Sequence, residues 1–152
     1  MALFLPDANV LLHALRENAA EHDSCRRWLM NATTVGDVIG LCELVEVALL
    51  RIPTLPQLQL VPMEVTLGFW KDDLWSYPGT RRLAAGARHQ GIFSDCITGL
   101  GLCGNDMNDA WLAALAIEHR ATLVSTDQGF SRFPGLSWIN PANAIHAVPP
   151  AK

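Results

Sequence analysis

The sequence predicts an α/β protein of three layers, α/β/α, in which helices cover both faces of a mainly parallel central sheet of four to five strands. Three observations predict it. Short apolar runs alternate with longer amphipathic stretches along the whole chain. Connections of that length suit crossovers between parallel strands rather than hairpins. Half of the 152 residues are apolar and only 17% are charged, which suits one buried core and excludes a disordered chain.

The elements follow in order. Ala2 to Pro6 is an apolar run ending in Pro-Asp, the length of a buried strand. Asn9 to Arg16 reads as a helix, with Val10, Leu11 and Ala14 spaced for one buried face. Glu21 to Met30 is a second helix, its acids early and Cys25, Trp28 and Leu29 on one side. Val38 to Leu41 is the second strand. Glu43 to Arg51 is a helix that ends before Pro53. Ile52 to Pro62, with three prolines, returns the chain across the surface. Val65 to Trp75 reads as helical, closed by Tyr77-Pro78-Gly79. Arg82 to Ala85 reads as a strand, and Arg88 to Leu100 as a helix that frays into a glycine-rich loop. Asn108 to His119 is the most regular helix and carries an alanine-rich face. Thr122 to Ser125 and Leu136 to Ile139 are the last strands. No repeat or interior linker interrupts them, so residues 1–145 read as one domain and 146–152 as a flexible C-terminal tail.

Composition narrows the function. Eleven basic and fifteen acidic residues give a net charge of −4, which excludes a generic basic coat for nucleic acid but not a local basic patch. Nine of the eleven cations are Arg, the better bidentate ligand for phosphate. Cys25, Cys42, Cys96 and Cys103 form no CxxC pair and read as reduced core residues of a cytoplasmic protein. No apolar stretch suits a membrane span, and Asp7 interrupts the N-terminal run that a signal peptide would need. The chain has no GxxxxGK[ST] loop, no GxGxxG and no GxSxG elbow, and its five histidines lack ligand spacing.

Sites in open parallel sheets lie beyond the carboxyl ends of the strands. Asp7 directly follows the first strand and Asp127 follows Thr122 to Ser125 after one residue. Glu43 and Glu46 lie in the helix after the second strand, and Asp106 and Asp109 at the start of the helix leading to the Thr122 strand. Six of the fifteen acids therefore fall where the fold would converge them. Each has a plainer reading: Asp7 as a helix N-cap, Asp106 and Asp109 as partners of a helix dipole, Glu43 and Glu46 as a solvated face, Asp127 as a turn residue. Together they point to a divalent cation. Oxygen-only ligation suits Mg²⁺ or Mn²⁺.

These residues resemble the PIN domain, and within it the VapC-type toxins of bacterial toxin–antitoxin pairs. The resemblance is carried by Leu5-Pro6-Asp7-Ala8-Asn9-Val10-Leu11-Leu12, by Leu44-Val45-Glu46 and by Asn108-Asp109-Ala110-Trp111-Leu112-Ala113-Ala114-Leu115-Ala116. It continues through Ala121-Thr122-Leu123-Val124-Ser125-Thr126-Asp127 and Phe130 to Leu136. It implies that Asp7, Glu46, Asp109 and Asp127 hold the metal, that Asn9 orients Asp7, and that Ser125 supplies a supporting hydroxyl. Asp106 ranks below Asp109, and Glu43 competes with Glu46. Ala8 stands where a hydroxyl residue is often found, and Arg120 where the family often has a helix-ending Gly.

The function so implied is a metal-dependent endoribonuclease that attacks RNA with metal-activated water and leaves 5′-phosphate and 3′-hydroxyl ends. Its implied partners are an RNA substrate (tRNA or rRNA), a small cognate antitoxin and a second copy of itself. Arg16, Arg51, Arg81, Arg82 and Arg88 are candidates for the cleft rim. Leu49, Leu50 and Ile52, with the Pro53 to Pro62 segment, are candidates for an apolar contact surface. Two other classes remain open: a catalytically silent RNA- or protein-binding module, and a phosphohydrolase of small phosphoesters. The amide of Asn9 in Asp7-Ala8-Asn9 argues against the last, since it cannot protonate a leaving group.

Overall fold

The computed structural model describes residues 1–58 and 60–143, so the expected tail lies outside the described residues. Five strands form one sheet in the order β3-β2-β1-β4-β5: β1 is Leu3–Pro6, β2 Val38–Leu41, β3 Thr80–Arg82, β4 Thr122–Val124 and β5 Trp138–Ile139. Every neighbouring pair is parallel. β1 is central and buried because its Leu5 faces no solvent at all, and in register it sets Leu5 against Leu123 and Pro6 against Val124 of β4.

Among the described residues, six α-helices lie between the strands: α1 Ala8–Leu15, α2 His22–Thr34, α3 Glu43–Arg51, α4 Met63–Gly68, α5 His89–Leu100 and α6 Asp106–His119. The chain steps in one direction from β1 through β2 to β3, then reverses across to β4 and β5. With right-handed crossovers, that reversal puts helices on both faces of the sheet. It also creates a switch point between β1 and β4, where strand connections diverge and a crevice opens beyond the carboxyl ends. α6 lies close to the sheet because Ala110, Ala113, Ala114 and Ala116 are fully buried small residues. Deleting the Leu123 side chain from this core costs about 2–5 kcal/mol.

The elements differ from the sequence reading in a few places. α2 continues past Met30 to Thr34, where the Thr33 hydroxyl bonds back to the Leu29 and Met30 carbonyls. β3 lies at Thr80–Arg82, earlier than expected, because its pairing partner β2 fixes the register as Ile39 against Thr80. The expected helix from Val65 to Trp75 is α4 followed by a π-helical turn, Phe69–Leu74. Cys25, Cys42 and Cys96 are buried and reduced, but Cys103 is exposed in the loop before α6. Leu49 is fully buried and Leu50 and Ile52 are partly so, while Leu58 in the Pro53 to Pro62 segment is exposed, as are Val47, Met63, Val65 and Leu67 of α3 and α4.

Candidate active site

Asp7 is placed by the end of β1, where its N–H bonds to Val124 O at 2.8 Å across the switch point. Its backbone is extended, its side chain caps α1, and Oδ1 accepts the Ala8 N–H at 2.7 Å. The other oxygen, Oδ2, accepts the Ser125 hydroxyl at 3.1 Å. Ser125 is fully buried after β4 and uses the same oxygen to accept the Asp127 N–H at 3.0 Å. Asp127 starts a 3-10 turn, Gln128–Arg132, and accepts the Gly129 N–H at 2.8 Å. Asp109 joins them from the first turn of α6, where the helix dipole favours a carboxylate.

These three aspartates line one pocket of about 440 Å³. Burial pushes the Asp7 carboxyl up to about 6, against the pull of the Ser125 and Ala8 hydrogen bonds, and Asp109 and Asp127 add to the rise. Burial, with Asp127 next, also raises Asp109, while Arg132 pulls it down. Among the described residues no ion pair reaches Asp7 or Asp127. Arg132 contacts Asp106 and Asp109, each at 3.4 Å. Asp106 therefore belongs to the edge of the cluster.

Glu46 is elsewhere. Leu44, Val45, Val47, Ala48 and Arg51 of α3 line the pocket, on a face centred on Leu44, Ala48 and Arg51. Glu46 lies two residues from Leu44, about 200° around the helix. The residue is only 5% exposed, and Oε2 accepts the indole N–H groups of Trp70 at 2.7 Å and Trp75 at 2.9 Å. Arg82 completes the cradle, donating to both oxygens and stacking 5.0 Å from the Trp75 ring centroid. The π turn makes this possible. Residues five apart diverge by about 140° on an α-helix, but the bond from Trp75 N–H to Trp70 O brings both indoles to one carboxylate. Burial alone would raise Glu46, yet the Arg82, Trp70 and Trp75 hydrogen bonds prevail and hold it below its ordinary range.

Of the remaining expected residues, Glu43 is exposed and lines, with Leu83, Phe93 and Trp111, an apolar groove that adjoins the acid pocket through Leu44, Val47 and Asn108. Asn9 lines the acid pocket but does not hold Asp7; its Oδ1 is buried without a hydrogen-bond partner, and Ser125 orients the carboxylate instead. Arg51 reaches the pocket. Arg82 is locked on Glu46, and Arg88 donates to the Glu118 carbonyl, so neither rims the cleft. Arg132, five residues after Asp127, was not among the expected cations; the spacing of one short turn beyond the last acid was its signal.

The donor chemistry fits a hard divalent cation. All the groups are oxygen ligands, three carboxylates repel one another, and a buried amide oxygen lacks a partner beside them. The arrangement is open: among the described residues no three acidic, histidine or cysteine side chains stand close enough together to hold a metal ion by themselves. An open site suits an ion that keeps several waters and takes few carboxylates.

A parallel five-stranded sheet that delivers aspartates from two strand ends and one helix start into a single pocket is the architecture of a PIN domain, and the PIN domain family model matches residues 4–136. Ribonuclease VapC37 of Mycobacterium tuberculosis is 36% identical over 137 residues, 89% of this chain and 94% of that protein. VapC ribonuclease Mb2897 of Mycobacterium bovis is 34% identical over 137 residues, 89% and 92% of the two chains. The chain belongs to the PIN-domain family, in its VapC group. Among solved structures, VapBC2 of Rickettsia felis, bound to a DNA fragment from its promoter, superposes with a TM-score of 0.69 at 20% identity, covering 91% of this chain and 98% of that one. Mycobacterium tuberculosis VapC20, a sarcin-ricin loop cleaving toxin, gives 0.60 at 12% identity, covering 88% and 98%. At these identities the solved structures bear on the fold alone.

Proposed function

We propose that this protein is a Mg²⁺- or Mn²⁺-dependent endoribonuclease, the toxin of a toxin–antitoxin pair. The observation that carries the reading is the convergence of Asp7, Asp109 and Asp127 at the switch point, in a chain over a third identical to a VapC ribonuclease. The three aspartates would hold the metal, with Asp106 at the margin, while Glu46 serves as a structural strut rather than the fourth ligand. When bound there, the cation supplies a water of lowered pKa and charge to offset that developing on the phosphodiester. Ser125 and the Ala8 N–H fix both oxygens of Asp7, and the Gly129 N–H fixes Asp127. Arg51, at the pocket wall, is placed to take a phosphate oxygen. His89 is committed to the Trp111 carbonyl and His119 to that of Ala84, so neither serves as a base.

The substrate in this reading is tRNA or rRNA, met in the cytoplasm. Among the described residues no helix is long and apolar enough to cross a membrane. A small cognate antitoxin with a cation to place among the aspartates would silence the site, and the exposed Val47, Met63 and Val65 offer apolar surface for it or for a homodimer.

The test is incubation of the purified chain with total bacterial RNA in Mg²⁺, Mn²⁺ or EDTA, beside Asp7→Asn and Asp109→Asn. Discrete fragments should require metal and both aspartates, each variant losing more than the about 10–100-fold typical of outer-shell groups. Cutting that persists in EDTA, or in both variants, overturns the reading.

A further inference from the structure

Two arginine–carboxylate contacts in this molecule have opposite character. Arg82 donates to both oxygens of Glu46, whose side chain is only 7% exposed and is braced by two indoles. Arg132 stands loosely at the pocket mouth, Nη2 at 3.4 Å from both Asp106 Oδ1 and Asp109 Oδ2, its side chain 35% exposed. The short turn from Asp127 carries it there, and its guanidinium rests 5.0 Å from the Phe133 ring centroid. Long, solvent-screened contacts of this kind are weak and easily exchanged. The position is fixed by the backbone, but the partner is not.

We propose that Arg132 is a phosphate-positioning residue that exchanges partners: Asp106 and Asp109 in the metal-free chain, and a phosphate oxygen of the RNA once those carboxylates are engaged. The proposal rests on the nuclease reading above. A divalent ion on Asp109 removes the charge that holds the guanidinium and repels it. Tethered five residues from Asp127 and backed by Phe133, Arg132 stays beside the pocket. The nearest anion is then the phosphate brought to the same aspartates, for which its planar fork is matched. In the metal-free state the same side chain competes with the ion.

Two binding measurements test this without reference to turnover. In Mn²⁺ titrations of the full chain, Arg132→Gln should bind about two- to fivefold more tightly than wild type, because a weak competitor is gone. Binding of a nuclease-resistant phosphorothioate RNA oligonucleotide, with Mn²⁺ present, should weaken about tenfold in Arg132→Gln and show a shallower salt dependence, with Arg132→Lys intermediate. If wild type binds Mn²⁺ and RNA and Arg132→Gln matches it in both, the exchange is wrong while the nuclease reading stands. If wild type binds neither, the nuclease reading fails and this proposal with it.

Discussion

Ser125 donates its hydroxyl to Asp7 at 3.1 Å and with the same oxygen accepts the Asp127 N–H at 3.0 Å, so one buried side chain sets the orientation of one aspartate and the backbone of another. Ser125→Ala leaves Asp7 Oδ2 without this donor and Asp127 N–H without an acceptor. Mn²⁺ affinity should fall about tenfold, as for the loss of other groups that orient metal ligands. Isothermal titration of the variant checks this, and unchanged affinity would show that the hydroxyl is incidental.

Glu46→Gln separates a strut from a ligand. The variant should unfold with a loss of about 1–3 kcal/mol, below the full cost of breaking a buried pair because the Arg82 side chain is 44% exposed and can be resolvated. Mn²⁺ binding and RNA cleavage of the folded variant should stay within about threefold of wild type, since an outer-shell role would already cost about tenfold.

The same carboxylate predicts a pH dependence. Its folded pKa lies below the ordinary 4.5, so it contributes stability above 4.5 that is lost as pH falls from there through the folded value. The gap in melting temperature between wild type and Glu46→Gln should therefore be widest near neutrality and shrink below pH 4.5. A gap that widens on acidification contradicts the cradle.

Arg51→Ala should weaken RNA binding across sequences and reduce the salt slope by about one unit while leaving Mn²⁺ affinity unchanged. Filter binding at several salt concentrations reads both.

Arg120 ends α6 in the left-handed region at φ 56, where a side chain costs about 1–2 kcal/mol. Part of that returns through the freer unfolded chain of a glycine. Arg120→Gly should gain about 0.5–1 kcal/mol, seen as a rise in melting temperature of about 2–3 °C.

The fold was legible because strand and helix periods were mostly separated, and the positions of Asp7 and Asp127 followed from the strand ends and that of Asp109 from the start of the helix leading to β4. Arg120 at the helix end was legible too, as a residue standing where glycine is favoured. Glu46 was misplaced by its local Leu-Val-Glu context. The stripe of Leu44, Ala48 and Arg51 at i, i+4 and i+7 already turned it away from the pocket, but its real partners lie 24, 29 and 36 residues on. The π turn that aligns two of them breaks the 3.6-residue rhythm on which helix reading depends. Asn9 misled for a related reason: nearness in sequence to Asp7 gave no hydrogen bond, whereas Ser125, 118 residues away, makes one.

That separation of 118 residues has a consequence for synthesis. Asp7 leaves the ribosome early, but β4, whose pairing with β1 brings Ser125 and Asp127 beside it, is nearly the last strand to emerge. Domains of this size fold as units, and long-range parallel pairing comes late. A truncated or still-growing chain has no assembled aspartate pocket, so a cell that makes this protein faces its chemistry only after translation of almost the whole domain.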